Sequence, residues 1–109
     1  MPPSGKPKDA SAVLDCGRLK VAITPKGRNR LLVEFWGELD LGTAEALEKR
    51  LYVPRRTKVD LDLSGLTFVD VRGLRLLTSL MKKSGGRANV LATSAAVTRT
   101  VEVGRKLPR

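Results

Sequence analysis

The sequence predicts an α/β domain, a mixed β-sheet of about four strands packed against about three helices. Several segments alternate apolar and polar residues, which is the period of a half-buried strand. Others space their apolar residues three and four positions apart, as amphipathic helices do. After an opening hairpin, strands and helices take turns along the chain, and parallel strands need such crossover connections. This order favours a mixed sheet with helices packed on it.

The first two strands form a predicted hairpin. Residues 19–24 alternate, and residues 25–29 follow with the Pro, Gly and Asn that are typical of a turn. Residues 31–36 form the second strand, which is expected to end at Gly37. In the first strand the apolar side of the alternation is Leu19, Val21 and Ile23. In the second strand one face carries Leu31, Val33 and Phe35 and the other carries Leu32, Glu34 and Trp36, so this strand is expected to be partly covered on both sides.

The first helix and the third strand come next. Asp40 and Thr43 offer a helix entry, because short polar side chains accept hydrogen bonds from the first unpaired amides of a helix. Pro54 ends this helix, since proline cannot continue it. Residues 59–63 alternate as the third strand, and the Ser-Gly pair at 64–65 breaks the pattern, which predicts a polar turn.

The C-terminal part of the chain predicts two more helices around a fourth strand. The second helix is expected from Arg72 to about Lys83, and the Ser-Gly-Gly run at 84–86 ends it. Residues 89–92 form the fourth strand. Ser94 then caps a third helix that carries apolar residues on one side.

The first seventeen residues are expected to form a flexible arm, and the domain to span residues 18–109. The segment 1–17 is rich in Pro, Gly, Ser, Ala and Lys and has few large apolar groups. It lacks the apolar core of a signal peptide, and charges interrupt every apolar stretch of the chain, so a cytoplasmic location is expected. The single cysteine, Cys16, has no partner for a disulfide or a metal cluster.

The positive charge is concentrated in the C-terminal third. Residues 1–71 carry 12 basic and 10 acidic side chains, which gives +2, whereas residues 72–109 carry 9 and 1, which gives +8. Such a field attracts an acidic protein, nucleic acid or an anionic membrane surface, unless it serves solubility alone. Aromatic residues are few and are not interleaved with the basic ones, which favours an acidic protein over nucleic acid.

Catalysis finds no support in the residue types. The chain has no histidine, no cysteine beside a base, no cluster of metal ligands and no glycine-rich phosphate loop. Scattered carboxylates do not make an active site. We therefore expect a protein that is not an enzyme and that uses neither a metal nor another cofactor.

Two blocks of sequence carry a family resemblance. The first reads Gly-Glu-Leu-Asp at 37–40 and Thr-Ala-Glu-Ala-Leu at 43–47, and the second reads Asp-Leu-Ser-Gly-Leu-Thr-Phe-Val-Asp-Val-Arg-Gly-Leu at 62–74. At this spacing they resemble the STAS-domain family of anti-sigma-factor antagonists, and the resemblance runs from about Arg18 to Arg105. In that family the second block ends Asp-Ser-Ser-Gly-Leu or Asp-Ser-Thr-Gly-Leu, and the anti-sigma factor, acting as a kinase, phosphorylates the serine after the aspartate.

The resemblance carries two expectations about departures from the family. Relatives commonly add a strand and a helix after the segment equivalent to 95–104, so this chain is expected to lack them and to leave a sheet edge or an apolar face for self-association or a partner. Val71 stands at the position of the phosphorylated serine. Because valine has no hydroxyl, the phosphorylation switch is expected to be absent.

The residues expected to bind a partner lie around the start of the second helix. Asp70 caps the helix, contacts the partner, or does both. Val71 either packs inward or faces outward as an apolar contact. Arg72 places a cation where the helix dipole disfavours one, so we interpret it as a partner contact, with pairing to Asp70 and plain solvation as the alternatives. The full predicted partner-binding set is Asp40, Asp70, Val71, Arg72, Gly73 and Arg75. The other hydroxyls of the block, Ser64 and Thr67, are expected to bond to backbone in preference to receiving phosphate.

The resulting hypothesis is a regulatory protein-binding module that binds an anti-sigma factor or a related regulator, through the 70–73 loop and the helix after it. Its partner is expected to present an acidic surface, and a homodimer is a further expectation. Three alternatives stay open: a basic nucleic-acid-associated domain, a STAS subunit of a transporter or larger regulatory complex, and a degenerate relative that only scaffolds a dimer.

Overall fold

A computed structural model describes residues 12–54, 56–83 and 88–106 of the chain. It contains a five-stranded mixed sheet and three helices. The strands are β1 (Ala12–Asp15), β2 (Leu19–Pro25), β3 (Arg30–Leu39), β4 (Lys58–Val69) and β5 (Ala88–Ala92). The helices are α1 (Leu41–Glu48), α2 (Val71–Lys83) and α3 (Ala95–Lys106).

The strands lie in the sheet in the order in which they occur along the chain. β1, β2 and β3 pair antiparallel, whereas β3, β4 and β5 pair parallel through crossovers that contain α1 and α2. Because both crossovers join neighbouring strands with the same hand, their helices cover the same face of the sheet. The carboxyl ends of β3 and β4 therefore meet at one edge, where α1 and α2 begin.

The hydrophobic core lies between that face and the helices. Alternate residues of the three central strands are fully or almost fully buried there, as the alternation in the sequence predicts. The helices contribute the apolar stripe of each amphipathic pattern. The largest fully buried side chains are Phe35, Leu19, Leu39, Leu47, Leu61, Leu66, Val21, Val33 and Val59.

The predicted strand count of four was wrong, because the chain forms β1 from residues placed in the flexible arm. Ala12–Asp15 pairs antiparallel with β2, and Leu14 packs against the core. The small and polar residues around this short segment hid its alternation. The five-stranded sheet also does not match the expectation that a strand is missing, while residues 1–11 of the predicted arm lie outside the described residues.

The predicted turn at 64–65 was also wrong, since β4 continues to Val69. β3 likewise continues past Gly37 to Leu39, and the two strands stay paired through irregularities of register. Gly65 lies against Trp36, where a Cβ would overlap the indole ring. The break in alternation therefore marks a close approach inside a strand, a common role of glycine in sheets.

The remaining predicted elements are confirmed with small changes of length. α2 begins at Val71, one residue before the prediction. The prediction that Pro54 ends the first helix was wrong, because α1 already ends at Glu48 with Lys49 as its C-cap. Ser94 caps α3, because its Oγ accepts a hydrogen bond of 3.3 Å from the amide of Val97. The predicted helix end at 84–86 lies outside the described residues. Among the residues that are described, no helix has the length and apolar character needed to span a membrane.

Candidate protein-binding site

The predicted site lies where β3 and β4 end side by side. Leu39 and Val69 are partners in the parallel register, and the amide of Asp70 donates a hydrogen bond of 3.2 Å to the carbonyl of Leu39. Each strand is followed by one aspartate and then by a helix, Asp40 before α1 and Asp70 before α2. The fold thus brings the two sequence blocks together as a pair of neighbouring helix N-termini.

Asp40 forms a complete capping box. Its Oδ1 accepts a hydrogen bond of 2.9 Å from the amide of Thr43, and the Oγ1 of Thr43 accepts one of 2.9 Å from the amide of Asp40. Its Oδ2 forms an ion pair of 2.8 Å with Arg18, whose Nε also lies 3.7 Å from Glu38. The amide of Thr43, assisted by its hydroxyl and by Arg18, lowers the pKa of Asp40. Both carboxylate oxygens are therefore engaged within the chain.

Asp70 caps α2 without a capping box, because the residue three positions later is a glycine and has no side chain to return the bond. Its Oδ1 accepts a hydrogen bond of 2.8 Å from the amide of Gly73, and its carbonyl accepts one of 3.0 Å from the amide of Leu74. Gly73 is buried against β3, where a Cβ would overlap the carbonyl oxygen of Leu39. In the Asp-x-x-Gly motif, the aspartate thus caps the helix and the glycine allows the helix to pack closely against β3.

Val71 and the two arginines face outward from α2. Val71 is 36% exposed, and Arg72 and Arg75 are exposed as well. Arg72 forms no ion pair with Asp70, which was one of the alternatives for it. In the described part of the chain no carboxylate forms an ion pair with either arginine, so both cations stay free to meet one from outside.

Leu41 and Phe68 belong to the same surface, although the sequence analysis missed them. Leu41 is 51% exposed and Phe68 is 47% exposed. Leu41 directly follows the capping residue Asp40, just as Val71 directly follows the capping residue Asp70. This shared order in the two blocks could have predicted Leu41 as a second exposed apolar residue. Phe68 was missed because it was assigned to a turn, whereas it lies near the end of β4. Together with Val71, these residues place three exposed apolar side chains around the paired caps.

A surface groove continues from Val71 towards α3. A depression of about 300 Å³ is lined by Phe68, Val69, Asp70, Val71, Arg99 and Thr100. A neighbouring one of about 270 Å³ shares four of these residues and adds Thr67 and Ala96. The hydroxyl of Thr100 donates a hydrogen bond of 2.5 Å to the carbonyl of Val69, which ties α3 to the end of β4. The sequence did not predict that α3 lies at this site, because its position there depends on the tertiary fold.

Ser64 and Thr67 lie in β4 and not in a loop. Thr67 donates a hydrogen bond of 3.2 Å to the carbonyl of Gly37, which confirms the predicted bond to backbone. Ser64 differs, because its hydroxyl donates to the carboxylate of Asp62 over 2.6 Å. Within the described residues no three His, Cys, Asp or Glu side chains are grouped to hold a metal ion. The chemistry that this surface offers is recognition by apolar contact and by positive charge.

Comparison with known proteins identifies the fold family. A family model described as "Mlab, STAS domain" matches residues 24–105. The chain belongs to this STAS-domain family. No curated protein matches the STAS chain in sequence. The match covers both sequence blocks, the paired caps and the residues of α3 that line the groove.

Solved structures of two other proteins share the STAS fold. A crystal structure titled as an anti-sigma factor antagonist from Mycobacterium paratuberculosis aligns with a TM-score of 0.61 at 24% identity, over 80% of this chain and 78% of that chain. A crystal structure titled as an antisigma-factor antagonist, STAS domain, from Rhodobacter sphaeroides aligns with a TM-score of 0.55 at 14% identity, over 75% of this chain and 90% of that chain. At these identities the likeness shows the fold.

Proposed function

We propose that this STAS domain is a non-enzymatic regulatory module that binds an anti-sigma factor or a related regulator through the 70–73 turn and α2. The observation that carries the proposal is the surface around the two caps, where the exposed apolar Leu41, Val71 and Phe68 lie beside outward-facing arginines. Apolar contacts flanked by arginine are typical of binding surfaces. The STAS family membership and the shared fold of two anti-sigma-factor antagonists support a regulator of this kind.

The residues take distinct parts in the proposed complex. Val71, Arg72 and Arg75 contact the partner directly, because all three are exposed and neither arginine forms an ion pair with a described residue. Asp40, Asp70 and Gly73 act by holding the two helix starts in position. The partner presents an acidic surface, since the cations of α2 would otherwise lose hydration without a counter-charge.

Binding to purified anti-sigma factors from the source genome tests the proposal by calorimetry. The variants are Arg72→Glu and Arg75→Glu, with Arg28→Glu as the matched control, because Arg28 is exposed in the turn between β2 and β3. We expect one anti-sigma factor to bind and each α2 variant to weaken it at least tenfold, while the control changes it little. Absence of binding to every such factor contradicts the proposal.

The missing hydroxyl at Val71 leads to a second part of the proposal, a module without a serine phosphorylation switch. Phosphorylation adds about two negative charges, which would repel an acidic partner. Incubation of the native chain with ATP and an anti-sigma kinase should leave it unmodified, whereas Val71→Ser should accept phosphate. Mass spectrometry that finds phosphate on Ser64 or Thr67 of the native chain contradicts the absence of a switch.

A further inference from the structure

The groove beside the 70–73 turn exists because β4 extends beyond the end of its neighbour β5. The parallel pairing of β5 with β4 reaches Asp62, whereas β4 continues to Val69. Beyond that pairing α3 takes the place beside β4, held there by the hydrogen bond from Thr100 to the carbonyl of Val69. A helix fills this space less evenly than a strand, so depressions of about 270 and 300 Å³ remain.

The lining of the groove combines apolar surface with one cation. Phe68 and Val71 expose their side chains, and Arg99 is exposed on α3 opposite them. Arg99 has no ion-pair partner within the described ranges. The carboxylate at the lining, Asp70, is engaged with the amide of Gly73. The groove thus offers contact for an apolar side chain and a guanidinium for a carboxylate.

We propose that this groove receives a partner segment in which an apolar side chain is flanked by carboxylates, and that Arg99 is a specificity-determining contact for it. The proposal rests on the proposed function and extends the interface from α2 to α3. A basic segment is disfavoured here, because Arg72 and Arg75 add to the same positive field. A nucleic acid would need cations along its path and would leave Val71 without a role.

A peptide titration followed by two-dimensional NMR of the ¹⁵N-labelled chain tests the groove without a known partner. The probe is an acetylated, amidated peptide with one leucine between two pairs of glutamates, and its counterpart replaces every glutamate by glutamine. We expect saturable shifts of the amides of Phe68, Val71, Arg99 and Thr100 with the acidic peptide. The glutamine peptide is expected to bind at least about fivefold more weakly, since it lacks the charges that pair with arginine.

Two variants assign the contacts. Arg99→Gln should weaken the acidic peptide about fivefold and leave the residual binding of the glutamine peptide unchanged, whereas Arg28→Gln, which makes the same charge change far from the groove, should alter neither. Phe68→Ala should weaken both peptides. Unchanged circular dichroism shows that the variants remain folded. Three outcomes overturn the proposal. The chemical shifts change over the whole basic surface, the two arginine variants lose affinity equally, or the acidic peptide does not saturate at about 10 mM.

The same variants separate this proposal from the proposed function. If an anti-sigma factor binds and Arg99→Gln leaves its affinity unchanged, the groove is not part of the interface and the α3 contact is refuted. If no anti-sigma factor binds but the acidic peptide still saturates the groove, the regulatory assignment fails and the groove stands as a site for acidic, apolar segments.

Discussion

Glu34 is a carboxylate placed where water is partly excluded and another acid lies close. It sits on β3 beside Asp62 of β4, its partner in the parallel register. Partial burial, followed by the charge of Asp62, raises the pKa of Glu34, while Lys26 opposes that change. Because the folded chain binds this proton more tightly than the unfolded chain does, ionised Glu34 destabilises the fold above its pKa.

We therefore expect Glu34→Gln to raise the melting temperature at pH 7. The gain is at most about 0.5 kcal/mol, since the carboxyl group stays partly hydrated. It should shrink as the pH falls through the raised pKa of Glu34, where the native side chain takes up its proton, and vanish below the ordinary pKa of a glutamate. Thermal unfolding between pH 3.5 and 7.5 checks this, with Glu45→Gln on the exposed side of α1 as the control. An equal gain at every pH would show that charge is not the cause.

Asp40, at the start of α1, makes the stability of the fold depend on pH in the opposite sense. Its pKa is lowered, so its stabilisation is present above the unfolded pKa and is lost as the pH falls through the folded one. We expect Asp40→Ala to cost about 1–2 kcal/mol at pH 7, because it removes the cap and the partner of Arg18. Urea unfolding at pH 7 and at pH 2.5 checks the prediction, and the difference between variant and native chain should be smaller at the lower pH.

At the scale of single elements, α2 is held against β3 by the absence of a side chain at Gly73. A Cβ there would meet the backbone of Leu39, which cannot move without disturbing the pairing of β3 with β4. Gly42, at the start of α1, has room for a side chain, since a Cβ added there would have Oδ1 of Asp40 as its nearest atom, at 3.6 Å. The two glycines therefore form a matched pair near the starts of neighbouring helices.

We expect Gly73→Ala to destabilise the fold by about 1–3 kcal/mol through overpacking. Gly42→Ala should be neutral or should stabilise by up to about 1 kcal/mol, because alanine is the better helix former. Denaturant unfolding of the two variants measures both values. Equal effects of the two substitutions would mean that helix propensity decides and the contact with Leu39 does not.

Local signals explain which elements could be predicted from the sequence. The hairpin, α2 and the caps at Asp40, Asp70 and Ser94 follow from turn residues, helical spacing and short polar side chains. β1 was not predictable in this way, since a strand of four residues is defined by its pairing with β2. The continuation of β4 past Gly65 depends on the indole of Trp36, a contact distant in sequence.

The residues of the candidate site also differ in whether local sequence signals predict them. Val71, Arg72 and Arg75 were predicted from the family resemblance and from their place at a helix start, and all three are exposed. Arg99 comes from a helix that follows another strand, and nothing near it in sequence points to the end of β4. Its place in the groove depends on how far β4 extends beyond β5, which is a property of the sheet and not of any one segment.

The whole molecule carries a net charge of +10, and its field is concentrated in the part that builds the proposed interface. Arg72, Arg75 and Arg99 are exposed, and among the described residues none of them has an acidic partner. Mutual repulsion between such charges opposes the compact state. A surface with several exposed cations of this kind therefore lowers the stability of the isolated chain.

Screening this repulsion should stabilise the chain. Between about 10 and 150 mM NaCl the Debye length falls from about 30 to 8 Å, so we expect the melting temperature to rise by about 2–5 °C. The triple variant Arg72→Gln, Arg75→Gln, Arg99→Gln should start from a higher melting temperature and rise less. A control with Arg28→Gln alone should behave like the native chain. A melting temperature that falls with salt, or an equal rise in the triple variant, would show that these three cations are compensated in the folded state and are not held ready for a partner.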